Sequence, residues 1–177
     1  WGRAVDESRH LGLRCNIYDE FVCPGGLAGG NVIAANPGLA AQELRLARLP
    51  LEGWRGYHVL LHCRIDMAGG TVVGASAEVA THALLLVGVE RQIPGLPVPD
   101  MLRRETAEQF IAQTHENYKR QRGKDFGTTV PFMFCDEPML LNSEAGLPCS
   151  RYLMREFRRD HGYDLSGEAL LSLCFER

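Results

Sequence analysis

Two pairs of neighbouring carboxylates are the residues of this chain best suited to chemistry. Asp19 and Glu20 follow one short apolar run, and Asp136 and Glu137 follow another. Glycoside hydrolysis needs one carboxylic acid to protonate the leaving oxygen and one carboxylate to activate water or attack carbon. A metal site would use the same residue types, and a solvated acidic turn would need no chemistry. The pattern favours a catalytic pair and leaves these alternatives open.

Both pairs are predicted to lie at the ends of strands. Phe132, Met133 and Phe134 show no polar alternation, which is typical of a strand buried on both faces. Residues Leu13–Tyr18 predict a second strand before the other acidic pair. In α/β folds, catalytic residues gather at the carboxyl ends of the strands. We therefore expect all four carboxylates at one edge of a parallel sheet.

A helix is predicted before each of these strands. Residues Arg3–Leu11 form the first, with Gly12 suited to end it. The second covers Arg104–Arg122, where apolar residues recur at helical spacing, and Gly123 can cap it. Helix, short loop and acidic strand end thus occur twice in the same order. This repetition predicts a repeating α/β architecture.

The residues between these two parts have a different character. A short helix is predicted at Pro37–Leu49, and three Val- and Leu-rich runs then predict antiparallel strands at Tyr57–Ile65, Thr71–Val79 and Ala83–Arg91. A hairpin turn is expected at residues 66–70. The chain is therefore divided into residues 1–56, a β-rich insertion at 57–92, and residues 93–177. Two further helices are predicted, one at Arg151–His161 and one that starts at Ser166.

Composition and charge exclude several classes of function. The net charge is −3 and no basic stripe is present, which argues against a nucleic-acid or membrane-surface partner. No apolar run approaches the ~20 residues that span a bilayer. The six cysteines form no C-x-x-C pair, so we expect a buried, reduced set. The chain opens on Trp1 without a signal sequence, which suggests part of a longer multidomain chain of unassigned compartment.

Three motifs resemble the large bacterial α-L-rhamnosidase-like glycoside hydrolases. Residues Ile17–Gly30 (IYDEFVCPGGLAGG) are similar to that family's strand-end motif with its Gly-rich loop. Residues 114–118 (THENY) resemble its Thr-His-Glu-x-Tyr helix, and residues 134–138 (FCDEP) its Phe-Thr-Asp-Glu-Pro strand end. The resemblance implies a partial (β/α)8 TIM barrel with an antiparallel β insertion. It also implies an enzyme that removes a terminal, rhamnose-like sugar from plant-type glycans, in the periplasm or outside the cell.

The resemblance also assigns roles to residues. Glu137 would be the general acid and Glu20 its partner, whereas His115 and Glu116 would give packing or support. No cofactor and no catalytic metal are implied, which leaves room for a structural Ca²⁺. The remaining residues would orient the acids or bind the carbohydrate substrate: Tyr18, Asp19, Gly29, Gly30 and Asp136.

Some residues depart from the family pattern. Val22 and Cys23 replace a Trp-bearing stretch, Gly25 stands where Ser is usual, and Cys135 replaces Thr. An aromatic platform for the sugar would then be missing. The alternative is a catalytically degenerate carbohydrate-binding or structural barrel module. A metal-dependent hydrolase is disfavoured because the spacing of the histidines, among them His58, His62 and His82, fits no standard metal pattern.

Overall fold

The computed structural model describes residues 1–19, 25–66, 71–74, 80–89, 98–136 and 146–174. They belong to two compact units, each built from two stretches of chain. The first unit is formed by Trp1–Leu39 and Val98–Leu140, and the second by Ala40–Pro97 and Leu141–Arg177.

Both units contain helices and strands. The strands are β1 (Ile17–Tyr18), β2 (Gln42–Arg48), β3 (Tyr57–Asp66), β4 (Thr71–Gly74), β5 (His82–Gly88), β6 (Met133–Phe134) and β7 (Leu147–Pro148). The α-helices are α1 (Gly2–His10), α2 (Asn31–Ala35), α3 (Arg104–Gln113), α4 (His115–Arg122), α5 (Arg151–His161) and α6 (Gly167–Leu173). Short 3-10 turns precede α2 and follow α2 and α4.

The first unit is built on a parallel pair of strands. Strands β1 and β6 pair with Ile17 opposite Met133 and Tyr18 opposite Phe134. Val5 of α1 packs with Ile17 and with Val130, and all three are buried. This small core fixes the position at which both strands end.

Charged side chains join α1 to the end of α4 and to Asp125 just after it. Arg122 donates from both terminal nitrogens to Asp6, at 2.5 and 2.6 Å, and its Nη2 also donates to the carbonyl of Gly2. Arg9 ion-pairs with the buried Asp125. The Arg122 hydrogen bonds hold the pKa of Asp6 below its ordinary value. These contacts hold the helices around β1 and β6.

The second unit is an antiparallel sheet with strand order β4-β3-β5-β2-β7. The central strand β5 is buried from His82 to Val87, and its side chains alternate between two cores. Leu84 and Leu86 pack in one core with residues of α5 and α6. Ala83, Leu85 and Val87 form the other core. Burial on both faces explains the uninterrupted apolar sequence of this strand.

The predicted barrel is wrong. Among the described strands, parallel pairing is confined to β1 and β6, whereas a (β/α)8 barrel needs a continuous parallel sheet. Residues 141–177 were expected to continue the barrel, but β7 pairs antiparallel with β2, and Leu170 and Leu171 of α6 join the core of the antiparallel sheet. The molecule is therefore a small α/β protein with one parallel pair and one antiparallel sheet.

The helix predicted at Pro37–Leu49 is also wrong, because β2 occupies Gln42–Arg48. The residues of β2 favour helices. Leu44 and Leu46 are two residues apart, so in a strand they lie on the same face of the sheet, where they pack in its core. Pairing along the whole length of β5 outweighs the local preference.

The other predicted elements agree more closely with the structure. Helices α1, α5 and α6 are confirmed, as is strand β3, and β5 starts one residue before its predicted range and ends within it. The helix predicted at Arg104–Arg122 is divided at Thr114 into α3 and α4. The strand predicted at Leu13–Tyr18 shrinks to the two residues of β1. Residues 67–70 of the hairpin turn lie outside the described residues.

Candidate functional site

The carboxyl ends of β1 and β6 lie side by side in the first unit. The amide of Asp19 donates to the carbonyl of Phe134 at 3.1 Å, which continues the pairing past β1. The amide of Gly25 donates to the carbonyl of Asp136 at 2.9 Å, so the Gly-rich segment returns to the same edge. Two acidic strand ends therefore share one edge of the parallel pair.

One side of this edge carries exposed aromatic rings. Tyr18 is 49% exposed and Phe134 is 50% exposed, and their rings stack with centroids 5.7 Å apart. The Tyr18 hydroxyl donates to Oδ2 of Asp136 at 3.0 Å. This stack is an aromatic surface with a carboxylate at its border.

Asp19 faces away from Tyr18, because successive side chains of a strand point to opposite sides. The residue is 3% exposed with both carboxylate oxygens buried, and it contributes to the lining of a cavity of about 260 Å³ within the first unit. The cavity is lined by Asp19, Ala28, Asn31, Gln113, Thr114, Asn117 and Tyr118. Apart from Asp19, its polar lining consists of amides and hydroxyls.

The carboxylate of Asp19 receives no hydrogen bond from the described residues. Nε2 of His115 lies 3.1 Å from its Oδ2, which is an ion-pair distance, but the contact lacks hydrogen-bond geometry. A buried carboxylate without donors costs free energy.

Thr114 determines which nitrogen of His115 carries a proton. The Thr114 hydroxyl donates to the carbonyl of Phe110 at 2.7 Å, so its only hydrogen is used. Nδ1 of His115 lies 2.9 Å from the same hydroxyl oxygen and must therefore be the donor. Nε2 is then the ring nitrogen of His115 that faces Asp19.

Local backbone features bring these groups together. Thr114 has φ −116° and ψ −76°, and its side-chain bond to Phe110 accompanies the break between α3 and α4. Ala28, Gly29 and Gly30 all have positive φ, which turns the chain sharply before α2. Ala28 is a non-glycine residue at φ 48° and lines the cavity.

The structure divides the predicted site residues into three groups. Tyr18 and Asp136 contact each other, whereas Asp19 lines the cavity on the other side of β1. Gly29 and Gly30 shape the turn before α2. The two residues predicted to do the chemistry, Glu20 and Glu137, lie outside the described residues.

Sequence reasoning expected His115 to give packing or support, and it did not predict the contacts of His115 with Asp19 and Thr114. His115 was interpreted as packing or support in the middle of one helix, because the break at Thr114 was not expected. A threonine inside a helical pattern can bond back to the preceding turn, and this was the available signal. Among the described residues, no group of three or more His, Cys, Asp or Glu side chains could hold a metal.

Comparisons with known proteins return nothing: this chain matches no family model, no curated protein and no solved structure. Within the part of the chain that is described, no helix has the length and apolar character needed to cross a membrane.

Proposed function

We propose that this protein is a glycoside hydrolase whose reaction takes place at the shared carboxyl edge of β1 and β6. The observation that carries the proposal is the parallel register of the two strands, with Tyr18 opposite Phe134. In the sequence, an Asp-Glu pair follows β1 directly and follows β6 after one residue, and a glycosidase needs two carboxyl groups on opposite sides of one bond. Glu137 is the proposed acid and Glu20 its partner.

The exposed aromatic stack supports a carbohydrate as the substrate. Aromatic faces pack against apolar faces of sugar rings, and a neighbouring carboxylate can accept hydrogen bonds from hydroxyls. Tyr18 and Phe134 supply the ring surface, and Asp136 supplies the carboxylate. This surface could serve the sugar in place of the Trp-bearing stretch that the resemblance led us to expect.

The test is hydrolysis of a panel of aryl glycosides that includes rhamnosides, by the wild type and by Glu137→Gln and Glu20→Gln. Loss of a general acid or base lowers turnover by about 10²–10⁴-fold, so we expect that loss in both variants. Glu168→Gln is the matched control, because Glu168 is an exposed residue of α6 in the second unit. Wild-type turnover in both carboxylate variants would refute the assignment of the pair.

A carbohydrate-binding protein without hydrolysis is the second candidate, and the exposed Tyr18–Phe134 stack favours it as well. Sugar affinity that is lost in Tyr18→Ala, with no turnover of any glycoside, would support binding alone.

A further inference from the structure

We propose that the cavity between α2 and the break at Thr114 binds a small neutral ring with an amide or amide-like edge, through the carboxamides that line the cavity. Aromatic amides, lactams and nucleobases belong to this class of ligand. The carboxamides are those of Asn31, Gln113 and Asn117. The site requires neither carboxylate of the proposed catalytic pair, so the inference does not depend on the proposed function.

The three carboxamides come from three consecutive helices. Asn31 begins α2, Gln113 ends α3, and Asn117 lies in the first turn of α4. The other polar lining residues are Thr114, Tyr118 and Asp19. Both carboxylate oxygens of Asp19 are buried, so a ligand does not reach them. The polar groups that remain for a ligand are therefore amides and hydroxyls.

Existing hydrogen bonds determine what each amide offers to a ligand. Asn117 donates from Nδ2 to the carbonyl of Gln113 at 2.7 Å, which fixes its amide plane and leaves Oδ1 as an acceptor. The side chains of Asn31 and Gln113 make no hydrogen bond within the described part of the chain. Gln113 is half-buried, and its amide is not among the buried unpaired groups. Its donor and its acceptor are thus accessible side by side.

A donor beside an acceptor favours a ligand that carries the same two groups. A carboxamide forms two hydrogen bonds with another amide or with the edge of a nucleobase, as asparagine and glutamine do with adenine. A carboxylate ligand has acceptors alone and would leave Oδ1 of Asn117 unpaired. A cation would find no charged acceptor within reach, since the oxygens of Asp19 are buried. The amides therefore favour a neutral ligand with an amide edge.

The size of the cavity and its apolar lining fit a single ring system. Its volume of about 260 Å³ is below the ~300–1,000 Å³ that is typical of sites for drug-sized ligands. Ala28 and the half-buried ring of Tyr118 line it beside the amides. A flat ring has apolar faces and carries its polar atoms at its edge. Its faces would pack on this apolar surface while the amides bind its edge.

The backbone of Ala28 is an independent observation at the same cavity. Ala28 is a buried non-glycine residue at φ 48°, in the left-handed region that a Cβ disfavours. Strained residues of this kind cluster at ligand-binding sites. Glycine would adopt this φ without strain, so the methyl group at position 28 adds apolar surface to the cavity at a cost in backbone strain.

The experiment is titration of the whole protein with benzamide, nicotinamide and uracil, followed by calorimetry and by NMR of the side-chain NH₂ groups. We expect at least one of these rings to bind and to shift the NH₂ signals of Asn31 and Gln113. Benzoate and nicotinate carry a carboxylate in place of the amide. They should bind at least about tenfold more weakly than the bound ring does.

Gln113→Leu should weaken the binding of that ring by about tenfold or more, because both hydrogen bonds of one amide are lost. Gln121→Leu is the matched control, since Gln121 is an exposed residue of α4 that lines no part of the cavity. Its affinity should equal that of the wild type. Asn31→Ala keeps the test valid if Gln113→Leu fails to fold. Asn31 is exposed, and its loss should also weaken binding.

Several results would overturn the inference. They are no binding of any of the three rings, equal affinity for the amides and their carboxylates, and wild-type affinity in the folded variants of Gln113 and Asn31. L-rhamnose is titrated as well. Rhamnose binding that exceeds that of the rings and is lost in Gln113→Leu would assign the cavity to a sugar and refute the amide class.

Discussion

His82 is a buried titratable residue whose protonation opposes folding. It lies at the start of β5 opposite Arg48 of β2 and Cys63 of β3, and its Nδ1 is 2.9 Å from the Thr81 hydroxyl. Burial, and secondarily the charge of Arg48, lowers the pKa of His82 below 6.5. The unfolded chain therefore binds a proton at a higher pH than the folded protein does.

This difference predicts a loss of stability at mildly acidic pH. Above about pH 6.5 His82 is neutral in both states, and as the pH falls through that value the unfolded state gains a proton first. His82→Gln should therefore make the urea midpoint less sensitive to pH between about 7.5 and 5.5. The control is His58→Gln, since His58 is an exposed residue of β3. An unchanged pH dependence in the His82 variant would contradict this account.

Among single residues, the sequence pointed to Asp19 and to a supporting role for His115, but not to the contact between them. A carboxylate after an apolar run is visible in the sequence, because strand ends have a recognisable composition. The position of His115 depends instead on one side-chain hydrogen bond that breaks a helix at Thr114. The helical spacing of apolar residues continues across Thr114, so the sequence pattern did not predict the break.

At the scale of elements, β2 and β7 pair beside a buried carboxylate. Glu43 of β2 is 2% exposed and ion-pairs with Arg45. Gly146, directly before β7, leaves room for it: a Cβ at Gly146 would lie 2.6 Å from Cδ of Glu43 and 2.7 Å from its Oε2. The φ of Gly146 lies outside the left-handed region, so space and not backbone strain selects glycine here.

We predict that Gly146→Ala destabilises the second unit. The added methyl group would push against a side chain that is enclosed and ion-paired, and overpacking of this kind costs about 1–3 kcal/mol. Urea unfolding followed by circular dichroism measures the change. Gly88→Ala is the control, because a Cβ at Gly88 meets no atom within 4 Å and its φ is also ordinary. Equal midpoints for the two variants would show that Glu43 moves aside freely.

Elements whose signals are local were predicted well, and the others were not. Helix α5 has a Ser150 cap that accepts from the amide of Leu153, and Gly162 at φ 78° ends it. Both signals are in the sequence itself. Strand β2 has helix-forming residues and becomes a strand because β5 and β7 pair with it. These partner strands lie far from β2 in the sequence, so a prediction from neighbouring residues does not include them.

At the scale of the whole molecule, the order of elements was informative about the parallel pair and misleading about the barrel. Strands β1 and β6 are parallel neighbours, as two acidic strand ends at one edge require. The barrel was extrapolated from two helix–strand repeats. How far a sheet extends depends on long-range pairing, and β7 pairs with the antiparallel sheet instead.

Three hydrophobic core clusters of the described residues each lie within one unit, and each unit contains one of the two tryptophans. Trp1 lies edge-on to Tyr118 in the first unit, with ring centroids 5.1 Å apart. Trp54 packs against the core of Ala83, Leu85 and Val87 in the second. Trp1→Phe and Trp54→Phe therefore give proteins whose fluorescence reports one unit at a time.

We predict that a local perturbation is detected by the tryptophan of its own unit. Added to each single-tryptophan protein, Gly146→Ala should lower the urea midpoint reported by Trp54 and leave that reported by Trp1 in place. The physical reason is that Gly146 and Glu43 both belong to the second unit, whose cores share no residue with that of the first. Equal shifts of both midpoints would show instead that the chain unfolds as one cooperative body.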